Sequence, residues 1–286
     1  MHLALNTYLY EVAERPFREA LGGAARHGFR YVDFAAFRSG DPSGKGPGEL
    51  AEIARLLRDN GLTSSQLLMS NVRDIASVDD SRRRETLEYM KRCADLQRSL
   101  GGREVLVCWG CGVREHEVSF EESWCRSVES IRQFAQWGQD RGILVDLELD
   151  PHVYFVVNST ERMARMLEDI DMPNVFPNVD TGHLAIIREG PRVLAKFSRR
   201  MLHVHLSESD TFSHTNSILG TGMVDLRGYV EAALAGGIEE TCAAHGVPCV
   251  AGIEIGSRSG APIDDPERWI VESLDHLRRA LPMLAM

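Results

Sequence analysis

The chain has 286 residues, 43% hydrophobic and 26% charged, with a formal net charge of −10. That composition excludes collagen-like, disordered and solenoid-repeat classes. No run of about 18 apolar residues offers a membrane span, and the start MHLALNTYLYEVAERP lacks the pattern of a signal peptide, so a cytoplasmic protein without membrane partners is expected. The acid excess argues against nucleic acid as a partner, since neutralising phosphates needs basic surface.

Short apolar runs alternate with longer amphipathic ones. The spacing predicts a strand over Leu3–Leu9, a helix over Arg15–Gly28, a strand over Arg30–Phe37 and a helix over Pro47–Asn60 closed by Gly61. Next come a strand over Leu62–Ser70, a helix over Asp79–Leu100, a strand over Glu104–Trp109 and a helix over Ser119–Arg141. Strands over Ile143–Asp150 and Val175–Val179 follow, with helices over Thr160–Ile170 and Pro191–Phe197 after them. A strand over Met201–Leu206, a helix over Leu226–His245 with a break expected at Gly236-Gly237, a strand over Cys249–Ile255 and a helix over Pro266–Leu281 complete the series.

Eight strand–helix units, one every roughly 35 residues, point to an α/β fold, a (β/α)₈ TIM barrel with 1–286 as one domain. An open doubly wound sheet would place a Gly-rich loop after the first strand, where Asn6-Thr7-Tyr8 stands instead. Cys108-Trp-Gly-Cys111 is one isolated CxxC among six cysteines. It reads as small residues at a strand end rather than a redox or zinc motif.

In such a barrel the chemistry sits at the carboxyl ends of the strands. Leu144-Val-Asp-Leu-Glu-Leu-Asp150 places Asp146, Glu148 and Asp150 on one strand face and apolar residues on the other. The helix-covered face must be apolar, so the acids point inward, where they are costly without a positive partner. Asp180 ends the sixth strand, His203-Val-His205 forms the seventh, and Glu254 is a lone acid in the apolar eighth. Glu148, Asp180, His205 and Glu254 thus offer one inward ligand from each of four consecutive strands. An oxygen-rich set with one imidazole and no thiolate suits one divalent metal ion, Mn²⁺ first, with Mg²⁺, Co²⁺ or Zn²⁺ as alternatives.

With these residues the chain resembles the xylose isomerase-like TIM barrels, the sugar phosphate isomerase/epimerase or AP endonuclease 2 superfamily. The resemblance rests on Glu148-Leu-Asp-Pro151, Asp180-Thr-Gly-His183, His203-Val-His205, Gly220-Thr-Gly-Met-Val-Asp225 and Ile253-Glu254. It implies a Glu/Asp/His/Glu metal site, with Glu148 and Glu254 also moving the protons. Two positions depart from the epimerase pattern: Thr211 stands near that branch's Arg, and Tyr154 near its second Glu. Both count against a ketose 3-epimerase in particular.

The leading expectation is a divalent-metal-dependent isomerase or epimerase acting on a small-molecule sugar or polyol ketone through an enediolate. A lyase or dehydratase of the inosose, dehydroshikimate or C-glycoside type would use the same site, and a non-catalytic barrel serving as a binding or partner subunit is the third reading. Glu148, Glu254 and His183 are the catalytic candidates. His152, Trp109, Glu208, His214, Arg258 and Asn6 are the candidate substrate contacts. The sequence is compatible with a homo-oligomer but marks no surface for one.

Overall fold

The computed structural model describes residues 1–210, 212–256 and 262–286. Its strands are β1 (His2–Asn6), β2 (Tyr31–Ala36), β3 (Thr63–Met69), β4 (Glu104–Val107), β5 (Leu144–Glu148), β6 (Val175–Asp180), β7 (His203–Leu206) and β8 (Val250–Ile253). All pair in parallel, and β8 returns to β1, so the sheet is a closed barrel in sequence order. The helices are α1 (Tyr8–Val12), α2 (Phe17–Arg26), α3 (Pro47–Asp59), α4 (Asp80–Ser99), α5 (Phe120–Gln139), α6 (Thr160–Ile170), α7 (Thr181–Ile186), α8 (Leu226–Ala235), α9 (Ile238–His245) and α10 (Pro266–Ala280). This is a (β/α)₈ TIM barrel. Among the described residues no helix is long and apolar enough to cross a membrane.

Local chemistry sets the helix starts. Asp79 caps α4 through the N–H groups of Ser81 and Arg82, and Ser119 with Glu122 forms a reciprocal capping box on α5. Ser159 caps α6 and Asp265 caps α10; such caps are worth about 1 kcal/mol each.

Three boundaries differ from the sequence expectation. The first strand ends at Asn6 rather than Leu9, because the Asn6 Oδ1 accepts the Tyr8 N–H at 3.0 Å and turns the chain into α1. The sixth strand runs straight into α7, a helix the sequence did not announce, with Asp180 as its cap. The stretch Leu226–His245 is two helices, parted where Gly237 adopts φ +80°.

The strand alternation sends Leu5, Phe34, Val105, Leu147 and Ile253 into the hydrophobic core. The other face carries buried Asp33, Gln66, Glu104, Asp146, Asn178 and His203. Their contacts join strands that are not neighbours. Asp33 of β2 lies 3.1 Å from His203 of β7, and the Gln66 amide of β3 donates to Asp146 of β5 at 2.8 Å. Only the barrel interior allows such contacts, so these residues fill its axis as a polar plug. Gly252 makes room for it: a Cβ there would lie 1.8 Å from the Asp33 Oδ2 and 3.2 Å from the His203 Nε2.

Candidate active site

Above this plug, at the carboxyl ends of β5 to β8, the side chains of Glu148, Asp180, His205 and Glu254 converge. Each offers one ligand atom, and these atoms lie within 4.8 Å of one another, all from buried residues. The His205 Nδ1 is 3.3 Å from the Glu148 Oε1 and 2.9 Å from the Glu254 Oε2. Glu148 and Glu254 reach the centre from strands three places apart in the ring, so they flank it from different sides.

Asp180 shows how local folding builds the ligand. Its Oδ1 accepts the His183 N–H at 2.8 Å, as the cap of α7, and the Ser207 hydroxyl at 2.5 Å. Its Oδ2 is buried without a hydrogen-bond partner among the described residues. A buried, orphaned carboxylate oxygen facing two more carboxylates and an imidazole is the donor environment of a divalent cation. These residues fit a hard or borderline metal ion, in the places where the sequence set its four ligands.

The electrostatics agree. Burial opposes a charged His205, yet the Glu254 and Glu148 carboxylates outweigh it and hold its pKa well above the usual imidazole value. The attraction that favours a proton there would favour a cation in its place. Burial raises the Glu148 carboxyl above its ordinary value, against the pull of His205. In the plug, burial works against charge on His203, but Asp33 and Glu104 push its pKa up to about 10. Burial, reinforced by Glu104, raises the Asp146 carboxyl to about 8.

Three supporting residues went unassigned in the sequence. The Asn178 amide donates to the Glu148 Oε1 at 3.3 Å and sits 3.3 Å from the His205 Nδ1. The Asn216 amide donates to the Glu254 Oε1 at 3.1 Å. Asp33, whose Oδ1 accepts the Ser65 hydroxyl at 2.7 Å, stands 3.8 Å from the His205 Nε2, on the side of the ring away from the ligands. Asn178 shares its strand face with Asp180, a period-two signal that could have drawn attention to it; Asn216 carried no signal beyond a polar loop.

A second knot adjoins the first. The ligand atoms of Asp150, His183 and His214 also lie within 4.8 Å of one another. The His183 Nδ1 meets the Leu149 carbonyl at 2.7 Å and its Nε2 meets the His214 Nε2 at 2.8 Å.

The pocket over the site has a volume of about 530 Å³. Glu148, Glu254, Asp150, His214, His152 and Trp109 all line it. His183 does not; it is fully buried against His214, so its expected catalytic contact would have to pass through that neighbour. Two expected substrate contacts are corrected. The Asn6 amide is buried in the turn to α1 rather than lining the pocket. Glu208 is also absent from the lining: its carboxylate accepts the backbone N–H groups of Gly220 at 2.8 Å and Val224 at 2.9 Å, clamping the glycine turn. Arg258 and Thr211 lie outside the described residues.

A family model, the xylose isomerase-like TIM barrel, matches residues 21–280. The chain belongs to that family. Within it, the chain is 28% identical over 220 residues to the L-ribulose 3-epimerase of Methylomonas sp. (strain DH-1), covering 75% of this chain and 73% of that relative. It is 25% identical over 180 residues to the ketose 3-epimerase of Arthrobacter globiformis, covering 62% and 61%. A shorter match, 25% over 135 residues, joins it to the inosose dehydratase of Geobacillus thermodenitrificans, covering 43% and 45%. The crystal structure of D-allulose 3-epimerase from Methylomonas sp. in complex with D-allulose shares the fold, with a TM-score of 0.77 at 22% identity over 98% of this chain and 97% of that one. Ketose 3-epimerases thus stand among its relatives although Tyr154 and Thr211 depart from the pattern expected of them.

Proposed function

We propose that this xylose isomerase-like barrel is a divalent-metal-dependent epimerase or isomerase of a sugar or polyol ketone. The observation that carries the reading is the convergence of Glu148, Asp180, His205 and Glu254, with the orphaned Asp180 Oδ2, at the floor of an open pocket. The 3-epimerase relatives supply the reaction class and a sugar as substrate.

Glu148, Asp180, His205 and Glu254 would hold one ion, with Mn²⁺ the first choice. When bound, such an ion would polarise a ketone oxygen and its neighbouring hydroxyl. Glu148 and Glu254 then act as a base–acid pair on the carbon beside the carbonyl. One carboxylate removes the proton, and the other returns a proton to the opposite face, inverting that centre. Return to the neighbouring carbon gives isomerisation instead. Asn178 and Asn216 each leave one carboxylate oxygen of their glutamate outside the amide bond, and so aim it. His214 and Asp150, on the pocket wall, are placed to hold substrate hydroxyls.

A second reading, dehydration of an inosose-like ketone, begins with the same proton removal and has the inosose dehydratase match in its favour. Metal content of chelator-free protein, followed by EDTA and Mn²⁺ add-back on ketoses, inososes and dehydroshikimate, tests both. About one metal per chain and an epimerised ketose as product supports the first. Loss of water from the product supports the second. Protein that binds no metal and turns over nothing would leave a binding subunit.

A further inference from the structure

The pocket is larger and more aromatic than a small keto-sugar needs. Its volume of about 530 Å³ falls in the range that encloses drug-sized ligands, roughly 300–1,000 Å³. Its carboxylates, Glu148, Asp150 and Glu254, cluster with His214 at the two knots already described. Away from them the lining is largely rings, in two groups.

The first wall is Tyr8 and Phe37, with ring centroids 5.5 Å apart, from the loops after β1 and β2. The second is Trp109, His152, Tyr154 and Phe155, from the loops after β4 and β5. Within it Tyr154 and Phe155 are 4.5 Å apart, Trp109 and Phe155 6.1 Å, and His152 stacks on Tyr154 at 5.5 Å. In a ring of eight strands those two loop pairs face one another across the mouth. Phe212, 82% exposed, completes the lining from the β7 side.

The second wall is held at a cost. Trp109, Gly110, Cys111 and Gly112 all have positive φ, +59°, +49°, +57° and +114°. For a tryptophan that backbone is unfavourable by about 1 kcal/mol or more. The Trp109 indole N–H donates to the Ser70 carbonyl at 2.6 Å, and the Arg73 guanidinium lies 4.8 Å over its ring. A strained backbone tied down at both ends of one side chain fixes the plane of that ring at the pocket wall.

Facing rings are poor partners for a chain of hydroxyls, which would lose water without gaining equal hydrogen bonds. They are good partners for a flat apolar group. We infer that the substrate is an aryl-substituted keto-sugar: its ketone end meets Glu148 and Glu254, and its aryl group slides between the Tyr8–Phe37 and Trp109–Phe155 walls. This rests on the ketone chemistry proposed above for the carboxylate end.

The test compares D-fructose with 6-O-benzyl-D-fructose on the Mn²⁺-loaded protein, by calorimetry for binding and by NMR for turnover. The benzyl compound should bind at least about tenfold tighter, the worth of a well-made aromatic contact. Tyr154→Ser and Phe212→Ser, both at exposed rings and so without demand on folding, should narrow that gap. Equal affinity for the two sugars overturns the inference, even where D-fructose is turned over and the epimerase reading stands. A benzyl preference lost in the two variants supports it, even where neither sugar is turned over and the epimerase reading falls. Absence of binding by either overturns both.

Discussion

Glu148 and Glu254 separate chemistry from folding. Glu148→Gln or Glu254→Gln keeps the shape and the amide contacts but removes a proton acceptor, so turnover should fall roughly 10²–10⁴-fold with an unchanged circular dichroism spectrum. Full activity in either variant would remove the two-carboxylate scheme. Asp146 carries a prediction about pH. Burial, with Glu104, lifts its carboxyl from 3.8 to about 8, so the folded chain holds that proton more tightly than the unfolded one. Stability linked to it is present below the unfolded value and declines as pH rises through about 8. His203, raised from 6.5 to about 10 by Asp33 and Glu104 against the effect of burial, extends the decline: its contribution is complete below the unfolded value and lost as pH passes about 10. Metal-free Asp146→Asn should therefore show a flatter Tm between pH 5 and 8 than the parent. Parallel curves would mean that Asp146 titrates as an ordinary acid.

Among elements, the loop between β7 and α8 depends on one clamp. Glu208 ties Ser209 to the turn Gly220–Val224 through backbone N–H groups, and a Cβ at Gly222 would come within 2.5 Å of its Oε1. Glu208→Ala leaves two buried donors unsatisfied and should cost about 1–3 kcal/mol, read as a lower Tm with KM little changed. A raised KM at constant Tm would return Glu208 to the substrate. Gly252→Ala should likewise lower Tm, by the roughly 1–3 kcal/mol of an overpacked core, because its methyl would displace Asp33 from His203. These contacts also show what a sequence conveys. Glu148, Asp180, His205 and Glu254 could be picked out because strand alternation is local, and an acid or imidazole on an inward face stands out against apolar neighbours. The clamp could not, because its acceptors' partners are backbone groups far along the chain. Nor could the places of Asn178 and Asn216: an amide creates no charge imbalance to signal its partner. Helix α7 stayed hidden because Asp180 belongs to the strand and to the cap at once.

At the scale of the whole barrel, acids outnumber bases along the axis: Asp33, Glu104, Asp146, Glu148, Asp180 and Glu254 face His203 and His205. Burying so much like charge is destabilising unless protons or a cation are taken up. Melting temperature should therefore rise when Mn²⁺ is added to EDTA-treated protein, in proportion to the logarithm of the metal concentration once the site is saturated; at a hundredfold over Kd the gain is about 2.7 kcal/mol. A Tm indifferent to metal would contradict the proposed ligand set. The closed topology was readable from eight repeats alone, since sequence order and spatial order coincide in this barrel. The aromatic mouth was not, because its rings come from loops without periodicity and meet only once the barrel has closed.

Asp180 ends β6 and starts α7 with no residue between them, whereas residues 207–225 separate β7 from α8. The two junctions differ in slack. An insertion or deletion at the first would shift a ligand and uncouple a helix together, so chain length there is frozen. At the second, length can drift while the four ligands keep their register. Lineages descended from this barrel would therefore acquire new substrates by lengthening or trimming one side of the rim, and a loop-swap library confined to that side is the economical way to redirect it.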